Sequence, residues 1–386
     1  MTSQCPICRG ELGPAYFQMH GVPTLDGAVC DTLEEADRCP TGDVTIRLCE
    51  TCGWIGNASF DPARLSYEKY HFSLHHSPAF DAFIDKLIDR LTDRFGLTDG
   101  KVLDVGCGSG DLLRDFADRV RITGLGIDPS IDAATEQRER GVVSFERGLL
   151  EPRHAGFDAD LLCCRHVLNS MPDPLGLLRQ IRAVARGDAA FYLEVPHADQ
   201  TFGHDIGWNV AYEHHSWFNE ASFSVLCRRA GFEVLDVGPC WGDEYLGIEL
   251  RLAEPDPDAR APQAAVTAVK QRLERFAQSV DAQIEHWSGR LARLRDDQKR
   301  VAIWGAGARA LLFINAIPEA EHIGMLVDIN PTRQDMYLAH VGHRIDPPDR
   351  LKAFDPDLLL ISNSAFADEI RQQAAALGVT APSEVF

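Results

Sequence analysis

Two glycine-rich turns, each placed between a strand pattern and a helix pattern, predict an α/β protein with two doubly wound units. The first turn is Gly106-Cys-Gly-Ser-Gly110 and the second is Gly305-Ala-Gly307. In both cases the next strand ends in an acid, Asp128 and then Asp328. A third observation is the front of the chain, where two CxxC pairs predict a separate metal-bound module. The 386 residues are enough for two or three domains.

Composition narrows the function. The formal net charge is −20, which argues against a nucleic-acid partner, because phosphate backbones select basic surfaces. A small phosphorylated ligand stays admissible, since it needs only a local cluster of donors. No apolar run approaches the ~20 residues that span a bilayer, so no membrane partner is expected. The opening Met1-Thr-Ser-Gln-Cys5 stretch lacks the basic and then apolar order of a signal peptide, and the expected location is the cytoplasm. Eleven cysteines, an odd number without secretory context, favour metal ligation or burial over a disulfide framework.

Four blocks follow in order. Residues 1–70 are rich in Cys, Gly and Pro, with a short strand at Val44-Thr-Ile-Arg-Leu48. Residues 71–253 alternate helix and strand: an amphipathic helix over 80–95, a strand over 101–105, then βαβ repeats. Residues 254–298 open with the linker Glu254-Pro-Asp-Pro-Asp-Ala-Arg-Ala-Pro262 and continue as one long helix from 263. Residues 299–386 form a second βαβ block that starts with the strand Val301-Ala-Ile-Trp304.

In the first block, Cys5-Pro-Ile-Cys8 and Cys49-Glu-Thr-Cys52 form two knuckles. Each can place two thiolates on one ion, and together they close a four-sulfur zinc site. A closed site has no position for water, so its expected role is structural. The alternative is four buried thiols. Cys30 and Cys39 lie between the knuckles as substitute ligands.

In the second block, Lys101-Val-Leu-Asp-Val-Gly-Cys-Gly-Ser-Gly-Asp-Leu-Leu113 reads as buried strand, turn and helix start. Gly106, Gly108 and Gly110 let the backbone turn sharply and approach a ligand. Asp128 is placed to accept both hydroxyls of a ribose. This spacing alone would also suit NAD. The wording of the motif closely resembles motif I of class I S-adenosylmethionine (SAM) methyltransferases. The resemblance implies SAM as cofactor, with Asp104 near its methionine amino group. The segment from Phe157 to Arg165-His166-Val-Leu168 resembles that family's fourth strand and adds Arg165 to the cofactor side.

After Glu194-Val-Pro196, the end of a fifth strand, comes Ala211-Tyr-Glu-His-His-Ser-Trp-Phe218. Loops at the carboxyl ends of parallel strands are where ligands bind in such sheets. Tyr212, Glu213, His214 and His215 are all able to move or orient protons, and histidine suits a base working near neutral pH. The chain as a whole resembles the three-part C-methyltransferases of deoxysugar biosynthesis, which combine a zinc module, a SAM domain and a C-terminal Rossmann-like domain. The resemblance rests on the CxxC pairs, Tyr67-Glu-Lys-Tyr70, motif I, Glu194-Val-Pro196 and the 211–218 segment. In that family a Tyr-His-Glu-His run supplies the base as its last histidine. Glu213 and His214 match it here, while Tyr212 stands for the first histidine and Ala211 for the tyrosine. The resemblance implies His214 as general base, assisted by Glu213 and Tyr212. It also implies a small-molecule acceptor, a nucleotide-linked keto-deoxysugar, with Tyr70, His215 and Arg309 on the substrate side. Arg309 opens a helix, where free backbone N–H groups favour phosphate; Arg333 is a second candidate. Methylation at oxygen or nitrogen, and a non-catalytic scaffold, are the competing readings.

Overall fold

The computed structural model describes residues 3–24, 29–65 and 77–386. Tyr67 and Tyr70 lie outside the described residues. At the front, an antiparallel sheet runs Phe17–Pro23, Thr41–Leu48, Ile55–Asn57, Ser216–Trp217. The strand Thr41–Leu48 buries Val44, Ile46 and Leu48 by the two-residue period of a pleated strand. The fourth strand comes from the second block of the sequence, with Ser216 opposite Gly56 and Trp217 opposite Ile55. The segment expected to carry catalysis is thus stitched into the cysteine module.

The central sheet has eight strands. Five are parallel, in the spatial order Ala190–Pro196, Leu161–Arg165, Gly100–Val105, Ile122–Asp128, Val142–Arg147. Antiparallel strands Tyr245–Leu252 and Phe232–Cys240 extend one edge, and Ala134–Gln137 extends the other. The chain reverses its direction of winding at Gly100–Val105, so a crevice opens beyond the carboxyl end of that strand. The helix Pro78–Phe95 leads into the sheet and buries Phe80, Ile84, Leu87, Ile88 and Leu91, a helical stripe. It begins two residues before the periodicity does, because Ser77 caps it by accepting the Phe80 N–H and Pro78 suits the first helical position.

The third sheet is parallel throughout, in the order Ile345–Asp346, Met325–Val327, Val301–Trp304, Leu358–Ile361, Ser383–Val385. The helix Gln263–Asp296 reaches it from the middle of the chain. Sequence alone grouped this helix with a linker, but it is a spine. Phe276 packs edge-on against Phe17 and Phe202, at centroid separations of 5.1 and 4.9 Å, and Trp287 against Phe313 at 5.4 Å. One core therefore runs through the front sheet, residues 198–217, the long helix and the C-terminal unit. Among the described residues, no helix is long and apolar enough to cross a membrane.

Candidate active site

The turn after Gly100–Val105 is held by its own neighbours. The Gly106 N–H donates to the Ile127 carbonyl at 2.8 Å, and the Gly108 N–H donates to Asp128 Oδ2 at 2.9 Å. Gly106 has φ +75°, and a Cβ there would lie 2.2 Å from Val167 Cγ2, so only glycine fits. Gly108, also at positive φ, has open space where a side chain would stand. Gly110 caps the helix Asp111–Arg119. The other oxygen of Asp128 accepts the Ser130 N–H and hydroxyl at 2.8 and 2.6 Å. Asp128 is thus a structural anchor of the turn as well as an acceptor facing the crevice.

Asp104 lies beneath the turn and is buried, and its Oδ1 has no hydrogen-bond partner. Burial pushes its pKa up to about 7; the Asp128 charge adds to this and Arg165 opposes it. A buried carboxylate without a donor is costly, and an ammonium group from a ligand would complete it. Arg165, two strand positions from Cys163, is committed to Glu194, with Nε and Nη2 at 2.9 and 2.8 Å from Oε1.

The segment 211–218 divides its polar side chains between two sides. Glu213 and His214 line a cavity of about 720 Å³ together with Asp104, Gly106, Gly108, Asp128 and Arg165. The His214 ring packs edge-on against Trp217 at 5.7 Å. Tyr212, grouped with them on sequence, does not line this cavity. Its ring covers Gly42 and stacks on Phe60 at 5.8 Å, and its hydroxyl accepts the Asp61 N–H at 2.9 Å. His215, expected on the substrate side, is buried between Trp54 and Phe60, with Nδ1 2.9 Å from the Met171 carbonyl oxygen. Burial pulls its pKa down to about 4. Both side chains fasten the loop to the front module.

The opposite wall of the cavity belongs to the C-terminal unit. Its turn repeats the geometry of the first: the Gly305 N–H donates to the Val327 carbonyl at 2.8 Å, and the Ala306 N–H to Asp328 Oδ2 at 2.8 Å. Gly305, Gly307, Asp328, Asn330 and Arg333 line the same cavity. Arg309 also lines it, but its guanidinium is spoken for. It pairs with Glu244 and donates from Nε to Asn209 Oδ1 at 2.6 Å. The sequence suggested a phosphate contact for Arg309; in the structure its guanidinium bridges Glu244 and Asn209 at the wall of the cavity. Ser77 donates to Glu369 Oε2 at 2.6 Å. Glu244 and Asn209 carried no sequence signal for this role, since their partner lies 65 and 100 positions away.

In the front module, Cys5, Cys8, Cys49 and Cys52 converge, with all four sulfurs within 4.8 Å of one another. The Cys5–Cys52 and Cys8–Cys49 separations are 3.4 Å. A tetrahedral ion with sulfurs at ~2.3 Å requires sulfurs ~3.8 Å apart, so the donor set and its size fit zinc. The four thiolates would repel without a cation between them. Cys30 and Cys39 are not part of this group; they face each other at 3.4 Å.

Two family models match the chain, one after the other. Residues 75–237 match the family model described as a methyltransferase domain, and residues 260–381 match the C-methyltransferase C-terminal domain. The chain is 27% identical over 245 residues to C-methyltransferase NovU of Streptomyces niveus, an alignment covering 61% of this chain and 57% of that protein. It is 33% identical over 106 residues to the ubiquinone biosynthesis O-methyltransferase of Aeromonas salmonicida (strain A449), covering 26% of this chain and 44% of that one. The chain thus spans about half the length of these relatives. A crystal structure of Burkholderia thailandensis 1,6-didemethyltoxoflavin-N1-methyltransferase superposes with a TM-score of 0.34 at 21% identity, covering 46% of this chain and 80% of that one. The chain thus combines a methyltransferase domain, a C-methyltransferase C-terminal domain and a four-cysteine cluster in front, and it is similar to C-methyltransferase NovU over 61% of its length.

Proposed function

We propose that this protein is a SAM-dependent C-methyltransferase that acts on a carbon beside the carbonyl of a nucleotide-linked keto-deoxysugar, with His214 as general base. The observation that carries this reading is a shared cavity: both glycine turns, both strand-end acids and His214 line it. The methyltransferase side fits SAM by its donor set. Asp104 offers a buried, unpartnered oxygen for the ammonium group, and Asp128 faces the crevice where a ribose would lie. SAM supplies an electrophilic methyl group. The facing side fits a second nucleotide: Asp328 repeats the position of Asp128, and the helix Ala308–Ala316 starts without a side-chain cap, leaving N–H groups for a diphosphate. A carbon beside a carbonyl loses its proton only to a placed base, which histidine can be near neutral pH. The four cysteines hold one zinc in this reading, and that closed site shapes the fold rather than the chemistry.

The test is solvent-deuterium exchange into thymidine- and uridine-diphosphate-linked 4-keto-6-deoxyhexoses, with SAM omitted, followed by methyl transfer once SAM is added. Exchange at one carbon and methylation at the same carbon are the expected results. An absence of exchange, with methyl found on oxygen or nitrogen of another acceptor, overturns the reading.

A further inference from the structure

Glu194 stands in the middle of the central sheet with no exposure to solvent. An anion so placed must be paired. Its Oε1 accepts Arg165 Nε and Nη2, and His166 Nε2 at 2.9 Å; its Oε2 accepts the Tyr192 hydroxyl at 2.6 Å. Burial alone would raise the Glu194 pKa, but Arg165 and His166 hold it well below the usual carboxylate range. Arg165 by itself balances the charge, so the imidazole is not needed for neutrality.

His166 is held in place at a cost. Its φ is +57°, a left-handed conformation that non-glycine residues adopt rarely. The backbone is locked there by a hydrogen bond from the His166 N–H to the Glu194 carbonyl, at 2.8 Å. Strain of this kind persists where the surroundings over-determine it, and it clusters at functional sites. The ring packs edge-on against Tyr245 at 4.4 Å, remains 31% exposed, and lines the cavity one residue before Val167, which covers Gly106.

We infer that His166 is a catalytic residue: as an imidazolium, anchored by Nε2–H on Glu194, it donates from Nδ1–H to the carbonyl oxygen of the acceptor and stabilises the enolate. This rests on the keto-sugar reading above. His214 takes the proton from the carbon; the C–H pair becomes the C=C bond and the carbonyl pair moves onto oxygen, where Nδ1–H meets it. As the carbonyl re-forms, the enolate carbon bonds to the methyl carbon, and the methyl–sulfur bond breaks with its pair left on sulfur. The proton on His214 passes to solvent, and His166 ends as it began. Donors aimed at a developing oxyanion in a site shielded from water are among the largest single contributions to catalysis.

The experiment compares wild type, H166A and H166Q in three measurements: exchange without SAM, methyl transfer, and affinity for S-adenosylhomocysteine. Removing one oxyanion donor costs on the order of 10²–10³-fold, so H166A should lose that much in both exchange and turnover while product affinity holds within about twofold. H166Q keeps an N–H donor and should recover at least about tenfold of the loss. The inference is overturned if H166A exchanges like wild type, if affinity falls in parallel with turnover, or if H166Q is as slow as H166A, which would make His166 a base. A wild type that exchanges none of the keto-sugars overturns the keto-sugar reading and this inference together.

Discussion

Asp104 gives the sharpest test of the cofactor site, because its burial makes cofactor affinity depend on pH. The ordinary value for this carboxyl is 3.8, and burial raises it to about 7. Only the ionised form can pair with the ammonium of the cofactor, so affinity should fall as pH drops below 7. Each pH unit well below that point costs about tenfold, or ~1.4 kcal/mol. Between pH 7.5 and 5.5 the fall should be about 20-fold, on the order of 1.8 kcal/mol, after allowing for the ligand amine with a pKa of ~7.8. Calorimetric titration with S-adenosylhomocysteine measures it directly. Near pH 6.5 binding should also release protons, which appears as a dependence of the heat on buffer. D104N should bind weakly but with a flat profile. The same group sets a stability trend: the folded state holds the proton between about 4 and 7 and the unfolded chain does not. Its contribution is fully present below 3.8 and is lost as pH rises through 7, so D104N should flatten that part of the melting-temperature profile. A wild-type affinity that is constant from pH 7.5 to 5.5, or a slope that survives in D104N, would refute the assignment of Asp104.

Two further outcomes are expected. H214Q should lose ~10²–10⁴-fold in turnover, the usual contribution of a placed base, with S-adenosylhomocysteine affinity unchanged; H215Q should instead lower the melting temperature, because His215 is buried against Trp54, Phe60 and the Met171 carbonyl. Equal activity in H214Q and wild type would sink the base assignment. Freshly purified protein should carry one zinc per chain by elemental analysis. Its removal should lower the melting temperature, because binding of the ion is coupled to folding of the front module; metal-free protein with unchanged stability would show that the four thiols need no ion.

Both glycine turns were legible in the sequence because their geometry is local. A strand-end acid some twenty residues on closes each turn through one carboxylate oxygen, and the spacing that permits this is visible in the residue order. The four cysteines were legible for the same reason. Partners distant in sequence were not. Nothing around Arg309 announces Glu244, and nothing around Tyr212 announces Asp61. The run from Tyr212 to His215 shows why residue type alone misleads. Consecutive side chains on an irregular loop cannot all face one cavity, so two of the four line the cavity and two face the front module. His166 was in plain view beside Arg165, but its strained backbone and its bond to Glu194 become visible only in three dimensions.

The arrangement around His214 ties the four-cysteine module to the proposed base. On one side of it, Tyr212 is anchored at Asp61; on the other, Ser216–Trp217 pairs with Ile55–Asn57. The Trp54 Nε1 donates to Ser216 Oγ at 2.9 Å, two residues beyond Cys52. A closed four-sulfur site cannot activate water, yet the four-cysteine module carries the strand that pairs with Ser216–Trp217 beside His214. A general base displaced by about 1 Å can lose on the order of 10²-fold in rate. Loss of metal should therefore lower turnover through the placement of His214, while the cofactor turn, carried by the parallel strands of the central sheet, keeps its affinity. On the proposed assignment, the front module acts by holding the His214 loop against the crevice.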